Sequence, residues 1–512
     1  MSENNVKSTT MLPAALRPAP DESGMTVPQL LEHRIHVLFE HIPLVAELGE
    51  AFAQTGHDLY LVGGSVRDAL MGRLGHDLDF TTDARPDDTE AILRQRTHAT
   101  WDIGRAFGTI GAQINDWVVE VTTYRADAYH PDSRKPEIVY GETLEDDLIR
   151  RDFTVNAMAL HAATRTFSDP YAGLADIVAG VLRTPFPPER SFSDDPLRMM
   201  RAARFSSQLG FDVAPEAFRA MREMAASIEM ISAERVRDEL VKLLMSPTPR
   251  RGLELLVESG IAEHVLPELP ALALEIDEHH RHKDVYEHSL IVLEQAMALE
   301  GPREVPGVEA PTEVEGPDLV LRLAALLHDI GKPDTRRFEP GGGVSFHHHE
   351  LVGAKMTRKR LRALRFDKET IKQVSRLVEL HLRFHGYGNG EWTDSAVRRY
   401  VTDAGPLLPR LHLLTRADST TRNKRKAARL QATYDDLEAR IERLQAEEEL
   451  AAVRPELDGN EIQAVLGIKP GPVLGRAYKH LLAVRLDEGV IGKDAASERL
   501  REWWAQQPES QG

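Results

Sequence analysis

Short apolar runs separated by polar breaks dominate the first third of the chain, and helical periodicity dominates the rest. From Asp195 onward, apolar residues recur every three or four positions. The pattern predicts an α+β protein, with an α/β head over residues 27–184 and an all-α remainder. Four of the early runs have the length and composition of strands, Leu59–Val62, Leu78–Thr81, Ile110–Ile114 and Trp117–Thr123.

Composition narrows the class of protein. The 512 residues carry a net charge of −18, are 42% apolar and contain no cysteine, which excludes disulfides, Cys-ligated zinc and thiol catalysis. No run approaches the ~20 apolar residues that cross a bilayer. Residues 1–26 are polar and match neither a signal nor a transit peptide. We therefore expect a cytoplasmic protein with no membrane partner and with a disordered tail over residues 1–26.

The acidic chain nevertheless contains two concentrated basic segments. Nine Lys and Arg residues lie from Lys355 to Arg376, and five lie from Arg422 to Arg429. Such runs are usually solvated helix faces. In an acidic protein they also hint at a phosphate-rich partner.

The richest chemistry follows the first strand-like run. Gly63 and Gly64 lead into a helix that carries Arg67, and the next strand holds Asp77 and Asp79. Side chains alternate along a strand, so the two carboxylates point the same way, about 6–7 Å apart along the chain. They can share Mg²⁺ ions in a phosphoryl transfer, while the glycines let backbone amides approach a triphosphate. The alternative is an Asp-rich strand end beside an ordinary turn.

Two later segments offer further ligands. Glu120 lies in the second arm of a predicted hairpin, where it can be a third carboxylate of the metal site or a solvent-facing strand residue. Arg151 and Asp152 lie in the run Arg150-Arg151-Asp152-Phe153-Thr154. They can bind phosphate and ribose, or they can form only a surface ion pair.

A helix start at Asp195-Pro196 is followed by three arginines spaced three apart, Arg198, Arg201 and Arg204. Arg198 and Arg201 can share a groove with Asp195, whereas Arg204 has turned far round the helix. A carboxylate accepts from an exocyclic amine, and an arginine donates to ring acceptors. Cytosine and adenine both present an amine beside an acceptor, so such a pair can select CTP and ATP. The alternative for Asp195 is a simple helix cap.

Taken in order, these motifs resemble the class II CCA-adding tRNA nucleotidyltransferase and bacterial poly(A) polymerase family. The resemblance implies a nucleotidyltransferase head at 27–184, and a helical neck and body that carry a nucleotide template at 185–270. It implies Asp77 and Asp79 as catalytic Mg²⁺ ligands. The expected nucleotide-binding residues are then Gly63, Gly64, Arg67, Arg151, Asp152, Asp195, Arg198, Arg201 and Arg204.

Histidine and aspartate recur in the second half of the chain. The pair His328-Asp329 ends an apolar helix, and His288, His349, His381 and Asp418 lie on or beside other predicted helices. Such a set suits one or two buried divalent transition metals. It resembles the HD metal-dependent phosphohydrolase superfamily, which implies an HD domain at 271–425 with phosphatase or phosphodiesterase activity.

The resemblances predict a template-independent enzyme that adds C, C and A to tRNA 3′ ends from CTP and ATP. Poly(A) polymerases and enzymes that add only part of CCA share every motif, so both stay open. An HD phosphohydrolase with an RNA-binding head is the alternative from another class. Residues 426–512 are expected to form a helical tail that binds RNA. The oligomeric state is not predicted.

Overall fold

The computed structural model describes residues 22–507, apart from 74, 76, 98, 103, 129–136, 274–284, 310, 312, 341–342, 385–386, 388–391, 420–423 and 449–453. The chain forms two compact units that meet in sequence between Val265 and Leu266. Among the described residues, no helix combines the length and apolar character needed to cross a membrane. The predicted tail falls mostly outside these residues. Glu22, at its end, is buried and forms an ion pair with Arg34 (2.9 Å).

The first unit alternates helices and strands before it becomes helical. Its elements are α1 Val27–His41, α2 Pro43–Gln54, β1 Leu59–Val62, α3 Gly63–Leu70, β2 Asp77–Thr82, α4 Pro86–Arg94, β3 Thr100–Trp101, β4 Thr109–Ile114, β5 Trp117–Thr123, β6 Arg125–Ala128, β7 Glu137–Tyr140, α5 Leu144–Ile149, β8 Ala159–His161, β9 Phe167–Ser168, α6 Gly173–Ala179, β10 Val181–Leu182, α7 Pro188–Asp194, α8 Leu197–Leu209, β11 Asp212–Val213, α9 Pro215–Met224, α10 Ala233–Leu244, α11 Pro249–Glu258 and α12 Ala262–Val265.

The second unit is almost wholly helical. Its elements are α13 Val285–Ala298, α14 Leu319–Leu327, α15 Lys332–Thr335, β12 Arg337–Phe338, β13 Val344–Ser345, α16 His349–Ala363, α17 Lys368–Leu380, α18 Asp394–Ala404, α19 Leu408–Asp418, α20 Lys424–Glu448, α21 Gly459–Leu466, α22 Pro472–Glu488 and α23 Lys493–Ala505. The predicted α/β head and helical remainder are confirmed, with short strand pairs added at β10–β11 and β12–β13.

A seven-stranded sheet organises the head, with the strand order β3-β4-β5-β2-β1-β8-β9. Strands β2 and β5 run parallel, and their neighbours pair antiparallel. Along β2, Leu78 and Phe80 are buried while Asp77 and Asp79 lie on the opposite, open face. This alternation fixes the register, because a slip of one residue would bury the carboxylates.

In the helical part of the first unit, α8 packs between α10 and α11. The close approach of α11 to α8 depends on Gly252, since a Cβ there would lie 2.4 Å from the Ser207 hydroxyl. Asp195 precedes the helix, and its Oδ1 accepts a hydrogen bond from the Leu197 amide (3.2 Å). The helix itself begins at Leu197, one residue later than Pro196.

The core of the second unit is formed by α13, α14, α17 and α19. The Pro-, Gly- and Glu-rich composition of segment 301–317 favours a mobile loop, and the segment connects α13 to α14. Its described part is tied to α20, because Arg303 forms an ion pair with Glu438 (2.8 Å) and the Glu309 amide donates to Glu442 (3.0 Å). The run Gly341-Gly342-Gly343 favours a tight turn, and its first two residues lie outside the described residues.

Candidate active site and metal centre

Three carboxylates converge on the open face of the head sheet. Asp77 and Asp79 lie two residues apart on β2, and Glu120 on β5 pairs directly with Asp79 in the parallel register. Burial raises the pKa of Asp79 above its usual value, with a further rise from Asp77 and an opposing effect of Arg151. Burial followed by the charges of Asp79 and Asp77 raises the pKa of Glu120. Such crowded carboxylates are ligands suited to a hard divalent cation.

The turn between β1 and α3 forms the other wall of this site. Gly63 has a φ of +68°, and a Cβ there would lie 3.0 Å from Arg151 Nη1. Ser65 ties the turn to β2, since its hydroxyl donates to the Asp77 carbonyl and accepts from the Asp79 amide, both at 3.2 Å. A cleft of about 180 Å³ opens here, lined by Leu38, Ile42, Gly64, Ser65, Asp68, Gly75, Asp77, Leu78 and Asp79.

The two predicted nucleotide-binding arginines of the head differ in how many of their hydrogen-bond donors already have partners. Arg67 is buried, with its guanidinium held by Asp68 (2.9 Å) and by Asn156 (2.6 Å). Arg151 donates to Asp147 (2.8 Å), while its Nε is buried without a partner among the described residues. Arg151 is therefore the arginine that faces Gly63 and Asp79 with hydrogen-bonding capacity left over.

Asp152 is a buried carboxylate that connects the head to α8. Its Oδ1 accepts from the Phe153 amide (2.8 Å) and from Asn156 (2.9 Å), and its Oδ2 forms an ion pair with Arg201 (2.7 Å). Burial alone would raise the pKa of Asp152, but Arg201 and these hydrogen bonds hold it below its usual value. Asp152 is thus a fixed anion beside the helix that carries the predicted template.

The predicted template residues split into two pairs. Asp195 and Arg201 are partly exposed, and Asp195 pairs with Arg235 (2.9 Å). The charge of Asp152, with a smaller effect of Asp195, raises the pKa of Arg201. Arg198 and Arg204 are buried. Arg198 donates to the Arg150 carbonyl (2.6 Å) and to Ser191 (2.9 Å), whereas Arg204 forms an ion pair with Glu239 (2.6 Å). A template role for Arg198 and Arg204 stays a prediction, since their polar groups already have protein partners.

Sequence reasoning missed Arg235 as a partner of this site. It lies 40 positions after Asp195, on α10. No local pattern joins the two residues, because the contact exists only once α8 and α10 pack together. The charge alternation of Glu234-Arg235-Val236-Arg237-Asp238-Glu239 was the available signal.

In the second unit, all six residues of the predicted HD site lie together, and we call them the HD centre. Asp329 is the hub of the HD centre, within 3.2 Å of His328 Nε2, 3.3 Å of His349 Nε2 and 3.9 Å of His381 Nε2. His288 Nε2 lies 3.0 Å from Asp418 and 3.6 Å from Asp329. Two overlapping groups have the spacing of metal ligands, His288-His328-Asp329 and Asp329-His349-His381.

Backbone hydrogen bonds orient three of these imidazoles for metal binding. The Nδ1 atoms of His328, His349 and His381 lie 2.8, 2.8 and 2.6 Å from the carbonyls of Ala325, Phe346 and Val378. Donation from Nδ1 leaves Nε2 as the inward lone pair, as in ligating histidines. The Nε2 atoms of His349 and His381 are buried with no hydrogen-bond partner among the described residues. The donor set therefore fits a divalent metal.

The charges within the HD centre are strongly coupled. Burial disfavours the imidazolium of His328, but Asp329 and Asp418 outweigh it and raise its pKa to about 10. Burial and the charge of His328 lower the pKa of His381 to about 3. Lys332, which the sequence reasoning left without a role, lies 2.8 Å from Asp329. A metal would replace the proton on His328, because metal binding requires neutral imidazole.

The glycine turn, the paired strand carboxylates and the arginine-bearing helices define a nucleotidyltransferase head followed by a separate metal centre. Family models agree with that division. A Poly A polymerase head domain matches residues 59–183, a probable RNA and SrmB-binding site of polymerase A matches 210–272, and an HD domain matches 285–423.

Individual relatives extend the likeness across the chain. An A-adding tRNA nucleotidyltransferase of Deinococcus radiodurans is 34% identical over 87% of this chain and 95% of its own length. A CCA-adding enzyme of Staphylococcus aureus is 44% identical over 38% of this chain, about half of that relative (48%). The fold matches that of the Bacillus stearothermophilus CCA-adding enzyme in complex with CTP, with a TM-score of 0.63, 24% identity and coverage of 90% and 97% of the two chains. The chain belongs to the tRNA nucleotidyltransferase and poly(A) polymerase family.

Proposed function

We propose that this protein adds C, C and A to the 3′ end of tRNA from CTP and ATP, without a nucleic-acid template. The observation that carries the proposal is the convergence of Asp77, Asp79 and Glu120 beside the Gly63-Gly64 turn. The Staphylococcus aureus relative, a CCA-adding enzyme, is 44% identical over 196 residues, which supports the transfer of this activity.

The head residues divide the work of nucleotidyl transfer. Asp77 and Asp79, with Glu120 beside them, would hold Mg²⁺, which supplies Lewis-acid stabilisation of the transferring phosphate. The backbone amides after Gly63 and the guanidinium of Arg151 bind the triphosphate. Attack by the terminal ribose 3′-hydroxyl on the α-phosphate forms the new phosphodiester and breaks the bond between the α-phosphorus and the oxygen that bridges to the β-phosphate. Pyrophosphate leaves with that oxygen, and the hydroxyl proton passes to solvent.

We assign base selection to Asp195 and Arg201, the two template residues with exposed surface. The Asp195 carboxylate accepts from the exocyclic amine of cytosine or adenine, and Arg201 donates to the neighbouring ring acceptor. Arg198 and Arg204 hold α8 in position through their contacts with neighbouring protein groups. Arg235 competes for Asp195 in the free protein and must yield part of its contact when a base binds.

A second candidate is addition of the terminal A alone. It is favoured by the Deinococcus radiodurans relative, an A-adding enzyme that matches along nearly its whole length. Purified protein with Mg²⁺ and tRNA that lacks all three terminal nucleotides separates the candidates, when CTP and ATP are supplied singly and together. Ordered addition of two C and one A supports the proposal. A second substrate, tRNA that already ends in CC, is tested alongside. Addition of A to this second tRNA, with no addition to the first, supports the second candidate. Long A tails indicate a poly(A) polymerase.

We further propose that the HD centre binds a divalent transition metal and hydrolyses phosphoesters. The unpartnered Nε2 atoms of His349 and His381, aimed at buried Asp329, support this. Metal analysis of the purified protein and hydrolysis of bis(p-nitrophenyl) phosphate test it. The intact Asp77 and Asp79 argue against the HD centre as the main activity.

The remaining expectations complete the proposal. Residues 426–512 would contribute RNA binding, with α22 beginning directly after Gly471. A single helix, α20, crosses the predicted boundary between the HD domain and this tail. We expect a cytoplasmic location, where tRNA and nucleoside triphosphates occur, and cell fractionation checks it.

A further inference from the structure

The basic segment that begins at Lys355 separates into two chemically different sets in the structure. Arg358 and Arg360, on α16, are tied to carboxylates of the fold, to Glu379 (3.2 Å) and to Glu268 (2.7 Å). Lys355, Lys359 and Arg362, on the same helix, are exposed, and no carboxylate lies within ion-pair distance of them in the part of the chain that the structure describes. We call these three residues the α16 stripe.

Helix geometry aligns the α16 stripe on one face. Successive residues turn by about 100°, so Lys355, Lys359 and Arg362 fall within about 60° of one another over about 10 Å of axis. Like charges four residues apart destabilise a helix rather than support it. The helix therefore gains nothing from Lys355 and Lys359, and only Arg362, in its last turn, complements the helix dipole.

Two neighbouring features extend the α16 stripe toward the HD centre. Leu351 precedes Lys355 by one helical turn, and its side chain is 45% exposed. The helix begins at His349, a residue of the HD centre, so Lys355 lies about 9 Å along the axis from it. Exposed Leu351 therefore lies between the HD centre and the α16 stripe along this helix.

We infer that the α16 stripe is a docking surface for the phosphate backbone of RNA. Charge complementarity selects a polyanion, because three unneutralised cations in line persist in a protein with a net charge of −18. RNA is the polyanion that the proposed function already requires, and the inference rests on that function. Exposed Leu351 offers an apolar contact for a base at the end of the strand.

A triple variant, Lys355→Gln/Lys359→Gln/Arg362→Gln, tests the surface without touching either metal site. Glutamine keeps helix propensity close to that of lysine and arginine. The matched control is Arg337→Gln/Lys372→Gln/Arg399→Gln, which removes the same charge from β12, α17 and α18 of the same unit and lies outside residues 426–512. The probe is a fluorescently labelled tRNA transcript without its terminal CCA, and the readout is the dissociation constant at a series of KCl concentrations.

The α16 stripe predicts a change in slope. Three lost phosphate contacts reduce the slope of log K against log[salt] by about 2–3. Between about 50 and 200 mM salt, the wild type should then lose roughly 20- to 40-fold more affinity than the triple variant. The control should keep a slope closer to that of the wild type, and Lys355→Arg/Lys359→Arg should retain the wild-type slope.

Equal slopes for the triple variant and the wild type, with both folded by circular dichroism, would overturn the inference. So would an equal reduction in the control, which would indicate only an effect of net charge. Nucleotide addition at saturating tRNA is measured in parallel. If the wild type adds no nucleotide but the triple variant still has the smaller salt slope, the proposed function alone is refuted. If the wild type adds nucleotides normally and the two slopes are equal, the docking surface alone is refuted.

Discussion

Replacing Glu239 by alanine removes the partner of a buried guanidinium and tests whether Arg204 is a structural or a nucleotide-contacting residue. The side chains of Arg204 and Glu239 are 10% and 7% exposed, and Arg204 Nε lies 2.6 Å from the carboxylate. Breaking a buried ion pair by removing one partner costs about 3–5 kcal/mol. At about 2–4 °C per kcal/mol for a unit of this size, we expect Tm of the first unit to fall by about 6–20 °C.

An exposed ion pair between the residue that precedes α8 by two positions and α10 supplies the contrast. Asp195 and Arg235 are 27% and 52% exposed at 2.9 Å, so Arg235→Ala should cost no more than about 1 kcal/mol. It should instead alter the use of CTP and ATP, because it frees Asp195. The double variant Arg204→Met/Glu239→Leu, with no charge left to bury, should recover most of the lost Tm.

Differential scanning fluorimetry and nucleotide incorporation, corrected for the folded fraction, separate the two roles. The structural account predicts a large drop in Tm for Glu239→Ala, with the choice between CTP and ATP unchanged. An unchanged Tm together with altered nucleotide choice would refute it, and would place Arg204 in the template as the family resemblance implies.

Four further outcomes follow from the two sites. Asp77→Asn/Asp79→Asn should reduce addition by about 10³-fold, equivalent to ~4 kcal/mol of barrier, while any phosphoester hydrolysis at the HD centre persists; loss of both activities would contradict two separate sites. Glu120→Gln should raise Tm of the EDTA-treated protein at pH 7 by no more than about 2–4 °C, since it removes at most ~1 kcal/mol of repulsion among crowded carboxylates that solvent partly screens. Folding raises the pKa of Glu120, so the cost of its charge to the wild type appears as the pH rises through the folded pKa. The gain in Tm from Glu120→Gln should therefore vanish below about pH 4, and a pH-independent gain would argue against charge repulsion as its cause. Gly63→Ala places a non-glycine residue at φ +68°, with its Cβ 3.0 Å from a guanidinium nitrogen, and should cost about 1–2 kcal/mol and raise KM for the nucleotide; an unchanged KM would show that the turn does not shape the triphosphate site. His349→Ala should lower the bound transition metal measured by mass spectrometry, and EDTA should lower Tm of the second unit in the wild type but less in the variant; full metal content in the variant would exclude His349 as a ligand.

The local pattern of apolar and polar residues was sufficient to predict four strands of the head sheet. The predicted runs at 59–62 and 117–123 coincide with β1 and β5, and the other two agree with β2 and β4 within one residue at each end. Strand alternation also placed Asp77 and Asp79 on one face, because side-chain direction follows from backbone geometry alone. The parallel pairing that brings Glu120 opposite Asp79 could only be left open, since it depends on a long-range register.

Contacts between distant segments were beyond such reasoning. Arg201 meets Asp152 across 49 positions, and Arg303 meets Glu438 across 135. Each of these pairs forms only when two distant segments pack together, which no local sequence pattern reports. The composition of segment 301–317 favours a mobile loop, and nothing within the segment indicates that its anchoring carboxylate, Glu438, lies on α20.

The most direct test of the central claim, that the carboxylate cluster and the Asp195 site together build CCA, is a single incorporation experiment. The substrate is tRNA without its three terminal nucleotides, with Mg²⁺ and both CTP and ATP, and the products are resolved at single-nucleotide length. The account predicts two C and one A added in order, followed by a stop. Growth beyond the third nucleotide, or no addition to this tRNA while one ending in CC still receives A, would contradict it.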